Sequence, residues 1–207
     1  MLSETSRVEA FSDGVFAIAI TLLILDLHVP PPAAGRLGPA LLRQWPTYVA
    51  FLLSFAFIGI MWVNHHRLFN HIRRSDNFLL FLNLLLLLGV CLVPFPTALL
   101  AAYYGRAGEQ KLAAGIFNGT YFAIAIFFNL LWRHALAAGL LDAETLESAH
   151  SLTRQYAVGP LMYLVCLLLS AIHVPTSLAL NVALALFFAL PPHIARKRPI
   201  QMHTATK

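Results

Sequence analysis

Arg7, Glu9 and Asp13 stand at the head of a long apolar run, and a second polar cluster, Trp62-Val63-Asn64-His65-His66-Arg67, closes another. Charges at membrane depth are costly unless they face protein or water. Groups of these types can tie helices together in a buried network, pass protons between a carboxylate and imidazoles, or bind a metal. The spacing speaks against a metal. His65 and His66 are adjacent, so on a helix they point about 100° apart, whereas helical metal pairs sit at i,i+4. Arg7 and Asp13 are six residues apart, so they are not an i,i+4 pair either. Each needs a partner on another element. Trp62, Asn64 and His65 can donate hydrogen bonds to Asp13, and Asn64 can accept one from Arg7. The same helix end also fits an interfacial position, with the indole at the headgroups and His66 and Arg67 in water. Trp62, Asn64 and His65 are assigned to the network because Asp13 needs a donor.

Other chemistries lack their residues. No GxxxxGK[ST] loop is present for ATP-driven transport, and no G-x-S-x-G or H-E-x-x-H for a membrane hydrolase. Paired intramembrane carboxylates of the kind used by proton pumps are missing. The two halves show no clear internal repeat, which speaks against a secondary transporter. Cys91 and Cys166 lie inside apolar segments as small hydrophobes. The chain is expected to be no enzyme and to carry neither metal nor cofactor. Asn83, Asn118 and Asn129 read as amides that join membrane helices. Asn118-Gly119-Thr120 matches a glycosylation acceptor, but it falls inside a span.

The elements that must position these residues are membrane helices. Hydrophobic residues make up 59% of the 207 and charged residues 11%, far from the balance of a soluble domain. On a requirement of about 20 mostly apolar residues per span, six candidates emerge, at roughly 7–28, 45–66, 77–101, 111–137, 154–174 and 177–195. The link 29–42 is rich in Pro, Gly and Ala. The link 138–153, with Asp142, Glu144 and Glu147, reads as a polar loop with a helical turn. Pro175 separates the last two spans, and Pro94, Pro96 and Pro160 mark kinks or ends. The expectation is an all-α membrane protein of six transmembrane helices, one domain over residues 1–207. The net charge of +5 does not signal nucleic acid, because the basic residues lie between apolar stretches. Six spans place ten Arg and Lys on the side of both termini, including Arg7, Arg67, Arg154 and the Arg196-Lys197-Arg198 tail, against Arg36, Arg43, Arg106 and Lys111 on the other. Both termini are therefore expected to be cytoplasmic, in the plasma membrane. The N-terminus has no basic region leading to a cleavage site, so the first apolar stretch is expected to remain.

The first helix is unlike a lipid-facing span. Its uncharged run, Gly14 to Leu25, holds 12 residues, about 18 Å, against a hydrocarbon core of ~30 Å. Such a helix belongs inside an assembly. Ser6 and Glu9 match a capping box for a helix starting at Arg7. At about 100° per residue, Ile18, Leu22 and Leu25 share a stripe, with Gly14 and Thr21 at its edge and Asp13 behind. Apolar residues at this spacing are ordinary core unless the charged flank marks the helix as special.

Arg7-Val8-Glu9-Ala10-Phe11-Ser12-Asp13, continued by Gly14 to Leu23, resembles the RxxxFSD signature of the transmembrane protein 175 family, whose members are potassium channels of endolysosomes and of prokaryotic membranes. The six-span layout, the length and the Trp/Asn/His end of the second helix match as well. The resemblance implies six-helix subunits that assemble as homotetramers in the lipid bilayer, with first helices around the pore and no P-loop filter. It implies a hydrophobic constriction at Ile18, a polar selectivity ring at Thr21 and a further apolar ring at Leu25. Arg7, Phe11, Ser12 and Asp13 would tie the first helix to the second without touching ions. Leu22 departs from the pattern, since it competes with Thr21 for the lumen.

The function expected is a passive channel for K⁺, which sheds part of its water at apolar rings. Asp26 and His28 at the outer mouth either enrich cations or sit in the interface. The competing readings are a proton-conducting pathway or secondary transporter through Asp13 and the histidines, and a scaffold without transport. Reporter fusions at Lys207 and near Gly35 should locate to opposite sides of the membrane. Signals from one side would contradict the six-span topology.

Overall fold

The computed structural model describes residues 5–189, without the side chains of 34, 143–145, 147, 148, 150–152 and 155. The basic tail at Arg196 to Lys207, the end of the sixth predicted span and the side chains of Glu144 and Glu147 lie outside the described residues. Among the described residues eight α-helices follow in order, with a separate 3₁₀ turn at Pro32–Ala34. They are α1 (Ser6–Leu22), which tightens into a 3₁₀ turn Leu23–Asp26, then α2 (Leu37–Arg43), α3 (Trp45–Phe69), α4 (Asn77–Leu92), α5 (Pro94–Tyr103), α6 (Glu109–Ala137), α7 (Ala143–Ile172) and α8 (Val174–Ala189). No strand occurs among the described residues; Ile72 and Leu141 form a lone antiparallel bridge. Among the described residues four stretches are long and apolar enough to cross a membrane: Ser6–Asp26, Trp45–Phe69, Asn77–Tyr103 and Glu109–Ala137. Two further apolar stretches, Tyr156–Ile172 within α7 and Val174–Ala189, follow among the described residues. Among the described residues the fold is all-helical; the fifth predicted span falls within α7, and the sixth begins in α8, whose described part ends at Ala189.

Three local readings are corrected. The capping box does not form: Thr5 precedes α1, and no side chain caps it. Thr5 Oγ1 instead donates to Ile72 O at 3.3 Å, which anchors the helix start to the turn after α3. The link 138–153 is mostly helix, since α7 begins at Ala143. Hydropathy registers only the membrane part of a helix, and the polar first turns of α7 were invisible to it. The turn between α7 and α8 falls at His173, not Pro175. His173 Nδ1 accepts from the Thr176 N–H at 3.3 Å, a cap for α8. Pro175 then occupies the first turn, where its missing N–H costs nothing.

Prolines break the third span as expected: α4 ends at Leu92 and α5 starts at Pro94. The Thr97 hydroxyl donates to Val93 O at 2.8 Å, a second bond to a carbonyl that also takes the Thr97 N–H. Two cores follow. One gathers Phe16, Phe57, Leu86, Val90, Phe117 and Tyr121 between α1, α3, α4 and α6. The other gathers Leu68, Phe69, Leu79, Leu131 and Trp132 at the α3–α4 turn. At Gly89 the helices α4 and α6 approach so closely that a Cβ would lie 2.6 Å from Ile124 Cγ1. Small residues at such crossings let membrane helices pack.

The α3–α4 turn is fastened by Asp76, whose Oδ1 accepts from the Leu79 N–H at 2.7 Å and caps α4. His134 Nε2, from the end of α6, lies 2.9 Å from both carboxylate oxygens. Burial pushes the Asp76 carboxyl up, but the Leu79 N–H and His134 outweigh it and hold the group below the usual carboxylate range. A lowered folded value stabilises above the unfolded value and is lost as pH falls through the folded one. Asp76→Ala should cost about 1 kcal/mol at neutral pH. The melting-temperature gap from wild type should shrink as pH drops below about 4. A gap that is constant with pH would contradict the role given to this carboxylate.

Candidate pore helix and its anchoring network

Helix α1 has two faces. Ser12, Phe16, Ala19 and Leu23, spaced four, three and four apart, are buried against α3 and α4. On the far side Ile18 is 61% exposed, Leu25 67% and Leu22 44%, and Thr21 is also exposed. The chain by itself therefore leaves this apolar face bare.

The buried side is held by polar groups from three helices. Ser12 donates to Val8 O at 2.8 Å and so satisfies its own hydroxyl proton. Asn83 Nδ2 of α4 donates to Ser12 Oγ at 3.0 Å. His65 Nε2 of α3 lies 2.9 Å from Asn83 Oδ1. An amide oxygen only accepts, so this His65 nitrogen carries the proton. The imidazole packs between Phe16, at 5.4 Å between ring centroids, and Phe69, at 4.5 Å. Ser12, His65 and Asn83 are at most 2% exposed. Beside them, Trp62 Nε1 donates to Asp13 Oδ1 at 2.8 Å.

The predicted network residues do not all join it. Trp62 and His65 do, through Asp13 and Asn83. Asn64 stands apart, because it lies on the α3 face turned toward α7 and α8, among Tyr156, Tyr163 and Phe188. Two residues along a helix rotate a side chain by about 200°, so Asn64 and Trp62 cannot share a face. Arg7 is exposed and has no hydrogen bond or ion pair among the described residues, and Phe11 is 57% exposed. The expected bond from Arg7 to Asn64 is therefore absent. Asn83 was foreseen only as a helix-joining amide, yet it is the centre of the network. Asn118 joins helices too, by donating to Ser177 Oγ at 3.1 Å and accepting from Asn181 at 2.7 Å.

Asp13 and His65 do not bond to each other; an indole and an amide serve them separately. Indole N–H only donates, so no unbroken carboxylate–imidazole relay runs through this layer. No group of three or more His, Cys, Asp or Glu that could hold a metal ion occurs among the described residues. Asp26 is half-buried at the end of the 3₁₀ turn, and His28 Nδ1 lies 2.9 Å from its carbonyl.

A helical bundle built to cross a membrane, with a short charged helix tied in on one side and bare on the other, has the makings of a transport protein. Comparison with known proteins gives the class. Residues 7–94 match the family described as endosomal/lysosomal potassium channel TMEM175. A potassium channel of Chamaesiphon minutus is 49% identical over 193 residues, covering 91% of this chain and 95% of that one. The crystal structure of a lysosomal potassium-selective channel TMEM175 homolog from Chamaesiphon minutus superposes with a TM-score of 0.80 at 48% identity, covering 89% and 96%. The endosomal/lysosomal proton channel TMEM175 of Mus musculus is 36% identical over 69% of this chain and 30% of its own length. The fold and these relatives define a multi-pass membrane protein of an ion-channel class, not an enzyme. The chain belongs to the TMEM175 family.

Asn83 is the residue whose loss should damage the layer most. Asn83→Leu orphans the buried His65 N–H, at about 1–3 kcal/mol, and removes the donor to Ser12, whose own hydroxyl keeps Val8 O. Asp13→Ala strands only the partly exposed Trp62 N–H. Both should lower the melting temperature and the yield of assembled protein, Asn83→Leu more. Selectivity should stay with what does assemble. A stable Asp13→Ala protein with altered ion preference would instead make Asp13 a pore residue.

Proposed function

We propose that this chain is one subunit of a potassium channel, assembled as a homotetramer of single six-helix domains around a pore lined by α1. Both termini are cytoplasmic, in the plasma membrane. The observation that carries the reading is the bare face of α1. Lipid can cover an apolar face, but not the exposed Arg7 and Asp13 at the head of the same helix, which must face protein or water; copies of the chain around a water-filled axis supply both. The names of the Chamaesiphon relatives support potassium as the ion.

The exposure pattern supports Thr21 over Leu22 as the lumen-facing polar ring. At about 100° per residue, the direction opposite the buried seam passes through Thr21. Gly14 and Ile18 fall within about 60° of it, while Leu22 is about 90° away and is the least exposed of the three apolar residues; Leu25, in the 3₁₀ turn, is assigned by its 67% exposure. The Thr21 hydroxyl donates to Ala17 O at 3.0 Å and Ile18 O at 2.9 Å. Its proton is thus used within the helix, and its oxygen lone pairs remain for a cation. Ile18 and Leu25 on either side form dry constrictions that an ion passes only by shedding water.

The mouse relative is named a proton channel, which sustains proton conduction as the second reading. The separation of Asp13 from His65 weighs against a relay through the anchoring layer, so protons would have to cross with water in the pore.

Currents across bilayers with K⁺ on one side and Na⁺ on the other test the assignment. Ile18→Asn places an amide in the constriction and lets water persist, so current should rise severalfold and discrimination against Na⁺ weaken. Leu23→Asn, about 140° away and only 1% exposed, should lower stability with no gain in current. Unchanged conductance and reversal potential in assembled Ile18→Asn protein would make Ile18 ordinary core and remove the pore assignment.

A further inference from the structure

Helix α1 carries a glycine that serves no packing contact within the chain. A glycine inside a helix lowers stability relative to alanine, so it is kept where a side chain would be in the way. At Gly89 the obstacle is visible, Ile124 on α6. At Gly14, in the middle of α1, a Cβ would meet no atom within 4 Å. Gly59 and Gly119 also have room, but they sit in lateral grooves, between α1 and α3 and between α4 and α6. Gly14 lines neither groove. It points, within about 15°, straight away from the buried seam of Ser12, Phe16 and Ala19. From Ile18 back toward the helix start, the same outward side shows Ala17, Gly14 and Ala10, all exposed, before it reaches Arg7.

We infer that Gly14 governs conduction by keeping the path wet one turn below the Ile18 constriction, on the side of the termini. This role rests on the channel reading, in which the bare face of α1 meets the ion path. Gly14 lies about 6 Å from Ile18 along the helix. Copies of α1 that carry only small residues between Ile18 and Arg7 enclose a vestibule there, wide enough for a hydrated ion. The exposed Asp13 and Arg7 near this level call for water as well. K⁺ then keeps its shell up to Ile18 and sheds part of it only there. A leucine at position 14 would stack a second apolar ring directly under the first and lengthen the dry stretch, and dry stretches close pores without a plug. The obstacle that a side chain would create at Gly14 is thus in the path of the ion, not in the packing of the chain.

The test records K⁺ currents of the full chain in bilayers and follows the melting of the assembled protein in parallel. Gly14→Leu should cut the current by about tenfold or more. Gly14→Asn, close to leucine in size but polar, should keep several times more current than Gly14→Leu, because the loss comes from drying and not from bulk. Gly14→Ala should raise the melting temperature, as expected for an exposed helical glycine, and lower the current by about twofold. Gly14→Asp should raise the current severalfold at about 0.01 M salt and much less at about 1 M, where charges are screened within about 3 Å. Ile18→Asn, recorded alongside, separates the two possible failures. Raised current in Ile18→Asn with wild-type current in Gly14→Leu would overturn the role of Gly14 and leave the pore standing. No change in either would remove the pore, and this role with it. Equal losses in Gly14→Leu and Gly14→Asn would overturn the drying argument. A lower melting temperature in Gly14→Ala would make Gly14 a contact between helices and overturn its place in conduction.

Discussion

Asn83 bridging Ser12 and His65 is the constraint on which the rest depends. A helix in lipid gains nothing from hydrophobic association, because the surrounding tails are as apolar as leucine. Something directional must choose which face of α1 turns inward. One amide from α4 does so by donating to Ser12 on α1 and accepting from His65 on α3. Three helices are locked in register by two hydrogen bonds, in a place where any unpaired group is costly. Trp62 to Asp13 adds a second tie in the same layer. Once this face is fixed, Ile18, Thr21 and Leu25 are necessarily presented outward. The charged signature and the bare apolar stripe are two consequences of one orientation.

The same economy recurs elsewhere in the bundle. Asn118, Ser177 and Asn181 bind α6 to α8, and Ser177 also donates to Cys166 O of α7 at 2.7 Å. Ser54 Oγ lies 2.6 Å from Thr97 Oγ1, which joins α3 to α5 beside the proline break. Asn118, Asn181 and Thr97 in these ties also bond carbonyls of their own helix, at Ala114, Ser177 and Val93. The pattern is not complete: Arg67 Nη1, Tyr121 Oη and Asn181 Oδ1 are buried with no hydrogen-bond partner among the described residues.

The sequence showed the helical class, the charged flank and the two-faced character of α1, because hydropathy and helical periodicity report on both. It also showed that Asp13 requires a donor from the second span, and Trp62 supplies it. Asn83 was hidden. An amide in a run of leucines announces helix joining, but its partners depend on the rotation of α4 against two other helices. Asn64 was misplaced for the opposite reason, since nearness to Trp62 along the chain hid the turn of the helix between them. The Ser6–Glu9 capping motif was a local preference overridden by Thr5, which is tied to Ile72 far along the chain. The start of α7 escaped because its first turns carry polar side chains, and the backbone bonds that make a helix do not need apolar ones.

The central claim is that one face of α1, set by Asn83, meets the ion path. Substituted-cysteine accessibility measures this directly. In a background with Cys91 and Cys166 replaced by Ser, single cysteines from Gly14 to Leu25 would be exposed to a charged thiol reagent while current is recorded. The account predicts block at positions 18, 21 and 25, weaker or no block at 22, and none at the buried positions 16, 19 and 23. Block with no helical period, or block confined to the buried seam, would contradict it.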